Sequence, residues 1–417
     1  MKSSGGTSAG IAGGGPTAAP PSAAPELGSA PAAAPAAPGT AAAAHGVGSA
    51  SPGTAAALES RGAPFRLGYR PQLDGVRGIA VILVVVYHVG RLLWPEASGW
   101  LAPGGFLGVD LFFVLSGFLI TSLLLAEAEH GGGVALGAFA ARRVRRLVPA
   151  LVALMTVLLA IALAGKMYDP AVMARSAVTV LTFSHNWAIG AGWRVELGYL
   201  WTVAVEAQFY VLWAVVVAAA VRARRPHLVL AVAAAAGIVA VVVWRLAQVE
   251  QGEPLFFAYV GTASRLDAPL VGALAGVVAA AGWLPVFRGR AAAVGGTVGL
   301  AVLVGAAMRL DSLDEALYRG LFTLLALAAA VGVLSAVRAG PGRLTRSLAL
   351  RPLVAAGIIS YSLYVWHLPI FEMVGRNTPG WHPLPRVALG VTLAVVAAVA
   401  SYRLVERPFR RRRAARV

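Results

Sequence analysis

The chain contains no cysteine and few charges. Without thiols there is no disulfide, no thiolate nucleophile and no cysteine-ligated metal, and nothing else in the sequence reads as a metal site. Charged residues make up 13% of the 417 positions and hydrophobic residues 58%, with a mean hydropathy of +0.74. Soluble domains carry roughly a quarter charged residues, so an ordinary soluble enzyme is excluded. Acidic residues are scarcest, 18 against 35 Lys and Arg, a net charge of +17. In a polar chain this excess would suggest nucleic acid. In one this apolar it assigns basic loops to an anionic lipid surface and argues against a nucleic-acid partner.

Residues 1–60 lack Phe, Tyr, Trp and Arg altogether, and Ala, Gly, Pro and Ser fill 47 of the 60 positions. Such a segment buries too little apolar surface to offset its ordering entropy. The expectation is a disordered tail over 1–64, a folded membrane domain over 65–410 and a basic cytoplasmic tail over 411–417. The tail has neither the apolar stretch of a secretory signal nor the arginines of a transit peptide.

A helical span needs about 20 mostly apolar residues. Stretches of this kind run over 76–95, 106–126, 147–165, 199–221, 228–248, 266–283, 291–308, 318–337, 353–373 and 386–405. A further stretch, 171–190, carries Arg175, Ser184, His185 and Asn186. Arginines cluster before the first span, at 142–146, at 222–225, at 288 and 290, at 338–351 and after 406, while the remaining loops are acidic or poor in charge. All basic loops fall on the cytoplasmic side only if 171–190 does not cross. The predicted fold class is therefore an all-α integral membrane protein of about ten transmembrane helices plus one re-entrant or interfacial segment, with both termini cytoplasmic.

Ionisable groups inside a span are costly and mark functional candidates. Helix geometry puts His88 roughly 18 Å, Glu206 roughly 20 Å and His367 roughly 21 Å from the inner face, with Asp110 a little further out. Arg77 and His88 are eleven residues apart, which places them on one helix face about 16 Å from each other. Asp74 stands three residues before Arg77, at pairing distance on a helix. Small residues at 104, 105, 108, 116 and 117 permit close helix approach. Arg142, Arg143, Arg145 and Arg146 suit phosphate geometry and equally suit plain positive-inside topology. Arg265 and Asp267 are placed to pair with one another.

Several motifs in order carry a resemblance. Arg70-Pro-Gln-Leu-Asp-Gly-Val-Arg77 opens the series, followed by His88. Gly105-Phe-Leu-Gly-Val-Asp110 runs on through Ser116 and Gly117. Arg142 and Arg146 precede Leu-Val-Pro149. Trp201 to Tyr210, Ser360 to His367 and Glu406-Arg-Pro-Phe409 complete it. From about Tyr69 to about Arg410 the chain resembles the acyltransferase 3 family of integral membrane O-acyltransferases. It departs in Thr202, where a serine is usual, and in having only eight residues after Phe409. The second departure leads to the expectation of a bundle that acts without the hydrolase-like domain of some family members, or with a separate acceptor-transfer protein.

The resemblance implies transfer of an acyl group, most often acetyl, from acyl-CoA to a hydroxyl, in a bacterial plasma membrane and with no bound cofactor. It implies catalytic roles for His88, Glu206, Arg77 and Asp74, with His88 as general base or transient acyl carrier and Glu206 or Asp110 orienting its imidazole. Substrate-binding roles fall to Arg142, Arg146, Asp110, Ser116, Trp201 and His367, the two arginines holding the phosphates of CoA. The acceptor class stays open between cell-surface carbohydrate, lipid-linked sugar and secreted small molecule. Two other classes stay open as well. One is an exporter of such an acceptor with a buried His/Glu proton relay; the other is a scaffold whose buried polar groups only fix packing.

Overall fold

The computed structural model describes residues 67–411. The expected tail over 1–64, and 412–417 of the expected tail over 411–417, lie outside the described residues. Every regular element within them is helical. In chain order these are α1 (Pro71–His88), α2 (Gly108–Gly131), α3 (Leu136–Leu163), α4 (Pro170–Leu181), α5 (His185–Gly190), α6 (Trp201–Ala220), α7 (Pro226–Glu250), α8 (Leu255–Val260), α9 (Thr262–Arg265) and α10 (Asp267–Ala280). They continue as α11 (Gly289–Ala307), α12 (Phe322–Arg338), α13 (Arg343–Leu348), α14 (Arg351–Ile358), α15 (Ser360–Asn377), α16 (Pro383–Ser401) and α17 (Arg407–Arg411).

Among the described residues eight helices are long and apolar enough to cross a bilayer, and a ninth crossing results if α14 and α15 count as one. This differs from the ten expected spans at two places. The 353–373 stretch breaks at Ile359, where α14 and α15 meet at 74°. The 266–283 stretch is the 14-residue α10, roughly 21 Å long against a hydrocarbon core of about 30 Å. Hydropathy alone reads α10 as a span because its surroundings are protein on nearly every side, not lipid. The polar stretch 171–190 forms α4 and α5, of twelve and six residues, both too short to cross. A left-handed Phe183 separates them.

The interior is organised around α2. Buried residues make up 72% of its most apolar stretch, against 17% for α7 and 22% for the span that begins at Pro383. Apolar side chains gain little by leaving lipid for other helices, so close backbone approach has to do the packing. A Cβ on Gly117 would stand 1.9 Å from the Pro269 carbonyl oxygen of α10, and one on Gly272 would stand 1.9 Å from that of Val114. The same device joins α1 to α14, where a Cβ on Gly357 would meet the Asp74 carbonyl oxygen at 1.8 Å. These contacts fix α1, α2, α10 and the α14–α15 bend around one another, and the nominated side chains project between them.

Candidate functional site

Two small cavities open inside this cluster. The first, of about 60 Å³, is lined by Arg77 of α1, Ser116 of α2, Arg146 of α3, Glu206 of α6 and Tyr361 of α15 among apolar neighbours. Arg77 donates to Asp74 at 2.7 Å, as their spacing predicts. Ser116 and Tyr210 both donate to Oε1 of Glu206. The second cavity, of about 300 Å³, is lined by His88 together with Tyr87, Tyr199, Trp201 and Tyr259.

Three residues line both cavities: Val109, Thr202 and Tyr364. The Thr202 hydroxyl lies 2.7 Å from the Tyr364 phenol, and that phenol donates to the Tyr199 carbonyl at 2.8 Å. A wall one side chain thick thus separates the arginine–glutamate chamber from the histidine chamber. Thr202, the hydroxyl residue that departs from the family pattern, is part of it.

His88 ends α1, and a wider π-helical turn follows over Val89–Leu93, a feature frequent at functional sites. Its Nδ1 is 2.9 Å from the Val84 carbonyl oxygen and 3.2 Å from Nε2 of His367. His367 has no solvent exposure and directs Nδ1 at the carbonyl oxygens of Tyr364, 2.7 Å, and Leu363, 3.1 Å. The two histidines predicted at a common depth therefore touch.

The carboxylates nominated to orient His88 do not touch it. Glu206 faces the other chamber. Asp110, 1% exposed, accepts from Arg265 at 2.8 Å. Asp110 is thus engaged by Arg265 and not by His88, and the expected Arg265–Asp267 pairing is replaced, since Asp267 accepts instead from Arg245 at 2.8 Å and from Thr323 at 2.5 Å. The exchange follows from geometry. Arg265 stacks 3.8 Å from the Phe322 ring centroid, near Tyr259 and Trp201, and from there it reaches α2. Arg142 pairs with Glu127, and Arg146 is the arginine of the two that lines the chamber. Trp201 lines the histidine chamber, backed by Arg265.

Sequence reasoning passed over Arg245, Tyr199 and Tyr364. Arg245 had a usable signal, a lone arginine after three valines and a tryptophan inside an apparent span. Tyr199 had none, since an aromatic near a span end also reads as an interfacial belt, and Tyr364 had none, since an aromatic inside an apolar run also reads as packing. Gln208 is explained by a clip on the polar segment: its amide donates to Asn186 at 3.0 Å and to the Phe183 carbonyl at 2.8 Å, and accepts from Thr262 at 2.5 Å. The closing motif is explained by Ser362 donating to Glu406, which ties α15 to the chain end.

Fold and cavities together describe a polytopic helical membrane protein with a pair of touching histidines, one of them fully buried, beside an arginine- and glutamate-lined chamber. Residues 70–403 match the acyltransferase domain of the acyltransferase 3 family, and the chain belongs to that family. Among its relatives, O-acetyltransferase OatA of Staphylococcus aureus is 30% identical over 367 residues, covering 82% of this chain and 58% of the relative. Peptidoglycan O-acetyltransferase OatA of Listeria monocytogenes is 29% identical over 361 residues, covering 82% and 56%. The chain thus spans less than three fifths of the length of these relatives. No solved structure matches it.

Proposed function

We propose that the chain is a multi-pass bacterial plasma-membrane O-acyltransferase that moves an acyl group, acetyl in the first instance, from acyl-CoA to a hydroxyl of a cell-envelope carbohydrate. The observation that carries this reading is the pair of adjoining chambers, one with two arginines and the other with a histidine, divided by a wall one side chain thick. Membership of an acyltransferase family and the O-acetyltransferase activities of the relatives support it.

At about 60 Å³ the arginine chamber is far too small for a nucleotide. On this reading the CoA nucleotide stays at the face of the bundle, and the pantetheine arm, itself larger than the chamber, enters past Arg146 and Arg77 only as the chamber widens. Their charges attract the anionic donor. The acyl thioester reaches the wall and passes it as the Thr202–Tyr364 contact opens, and the acceptor hydroxyl occupies the His88 chamber. His88 takes the hydroxyl proton as the oxygen attacks the thioester carbon. The C–O bond forms, the C–S bond breaks, and the proton passes on to the leaving thiolate. Glu206, held by Ser116 and Tyr210, positions the chamber wall. With the basic loops cytoplasmic, the donor enters from the cytoplasm and the acceptor chamber lies toward the outer face.

The test is CoA release from radiolabelled acetyl-CoA by the protein in reconstituted vesicles supplied with a carbohydrate acceptor. His88→Ala abolishes transfer on this reading, and full turnover by His88→Ala overturns it. Arg146→Ala raises the KM for donor and leaves kcat close to wild type, the signature of lost ground-state binding.

A further inference from the structure

We propose that His367 is the positioning residue of the reaction, accepting a hydrogen bond from Nδ1–H of His88 and thereby aiming Nε2 of His88 at the acceptor hydroxyl. This rests on His88 acting as the base. The protonation pattern follows from the partners alone. Carbonyl oxygens only accept, so Nδ1 of His367, 2.7 Å from the Tyr364 carbonyl oxygen, carries a hydrogen. In the neutral ring Nε2 of His367 then bears a lone pair. Nδ1 of His88 faces that lone pair at 3.2 Å and the Val84 carbonyl oxygen at 2.9 Å, both acceptors, so it carries the hydrogen of its own ring. Nε2 of His88 is left with the free lone pair, and His88 lines the chamber.

The result is a chain of three members: acceptor hydroxyl, His88 and His367, the last anchored on backbone carbonyls. It has the logic of a nucleophile–histidine–orienter triad with a neutral imidazole in the third place. When His88 takes the hydroxyl proton at Nε2, its Nδ1–H becomes a stronger donor, and the His367 lone pair stabilises the charge that develops. A carboxylate in that place would need its own counter-charge in a buried site. His367 needs none, and its burial keeps water from competing for the bond.

The experiment compares four variants of the full chain in vesicles, with acetyl-CoA and acceptor: His88→Ala, His367→Phe, His367→Asn and His367→Gln. Thermal unfolding in detergent verifies that each is folded. Asparagine keeps a donor where Nδ1 stands and has no atom where Nε2 stands; glutamine restores an acceptor there. The expected result is a fall in kcat of about 10²-fold for Phe and Asn, on the order of an intact general base's contribution. KM for donor stays within about twofold of wild type, and Gln recovers most of the lost kcat. An inactive His88→Ala beside fully active His367→Phe and His367→Asn would overturn the role of His367 and leave the base reading standing. Folded variants in which Gln is as slow as Asn and Phe would also overturn it, since a space-filling role is blind to the acceptor. An active His88→Ala removes the base reading itself. In ¹⁵N-histidine-labelled wild type, the signal lost in His88→Gln is expected to be that of an Nδ1-protonated neutral ring; an Nε2-protonated ring contradicts the proposal.

Discussion

Two arginine–aspartate pairs, Arg265–Asp110 and Arg245–Asp267, are buried to 2% exposure or less. Removing one partner of such a pair strands the other charge, which typically costs about 3–5 kcal/mol. Arg265→Met is therefore expected to lower the thermal midpoint in detergent strongly, and Asp110→Asn in the same chain to restore much of the loss. Equal melting of single and double variants would contradict the pairing. At the wall, Tyr364→Phe keeps the ring and removes the hydroxyl that joins Thr202 to the Tyr199 carbonyl. The expected outcome is a higher ratio of donor hydrolysis to acyl transfer, measured as CoA released without acceptor. Arg77, His88, Arg146 and Glu206, which line the chambers, stood out in the sequence because burying an imidazole, carboxylate or guanidinium needs a reason. Their partners did not. Spacing along one helix gives face and depth, whereas Asp110 and Arg265 meet across 155 residues of chain, and only the packing of α2 on α10 brings them together.

At the level of the helices, the glycine contacts predict sharp intolerance. Gly117→Leu and Gly272→Leu each drive a side chain into a carbonyl less than 2 Å from the Cβ position. Both are expected to abolish accumulation of folded protein, whereas Gly305→Leu, with open space around it, is expected to accumulate normally. Expression and size-exclusion profiles decide this. The N-terminus of α4 makes a pH-dependent contribution. Asp169 accepts from the backbone N–H groups of Ala171 and Val172, and these bonds hold its carboxyl below the usual carboxylate range. A depressed carboxyl stabilises the helix fully above its unfolded pKa, about 3.9, and that contribution fades as pH falls through the lower folded value. Amide exchange at Ala171 and Val172 should accelerate at neutral pH in Asp169→Ala but not in Asp169→Asn, which retains an acceptor. The small-residue stripe on α2 was readable in advance. The shortness of α10 was not, because an apolar run has the same composition whether lipid or protein surrounds it.

For the bundle taken whole, the distribution of arginines and the helix lengths bear on orientation separately. The charge rule places 222–225 inside and 309–316 outside. The natural absence of cysteine makes this direct to measure. In intact cells a membrane-impermeant maleimide is expected to label Leu313→Cys and to spare Ala223→Cys, both exposed positions; labelling of Ala223→Cys alone would invert the scheme. The all-helical membrane class followed from composition, because lipid demands that each backbone polar group be satisfied within the protein. The lipid-facing rim and the glycine-packed centre differ little in hydropathy and therefore emerged only in the structure.

Tyr364 ends two separate chains of contacts. Its phenol closes the wall between the chambers through Thr202, and its carbonyl anchors the imidazole of His367 three residues on. On the proposed reading, seal and anchor are thus parts of one residue on one helical turn. A motion of that turn large enough to admit an acyl group would also pull on the anchor of the histidine pair, so that passage and readiness to react would be timed by the same event.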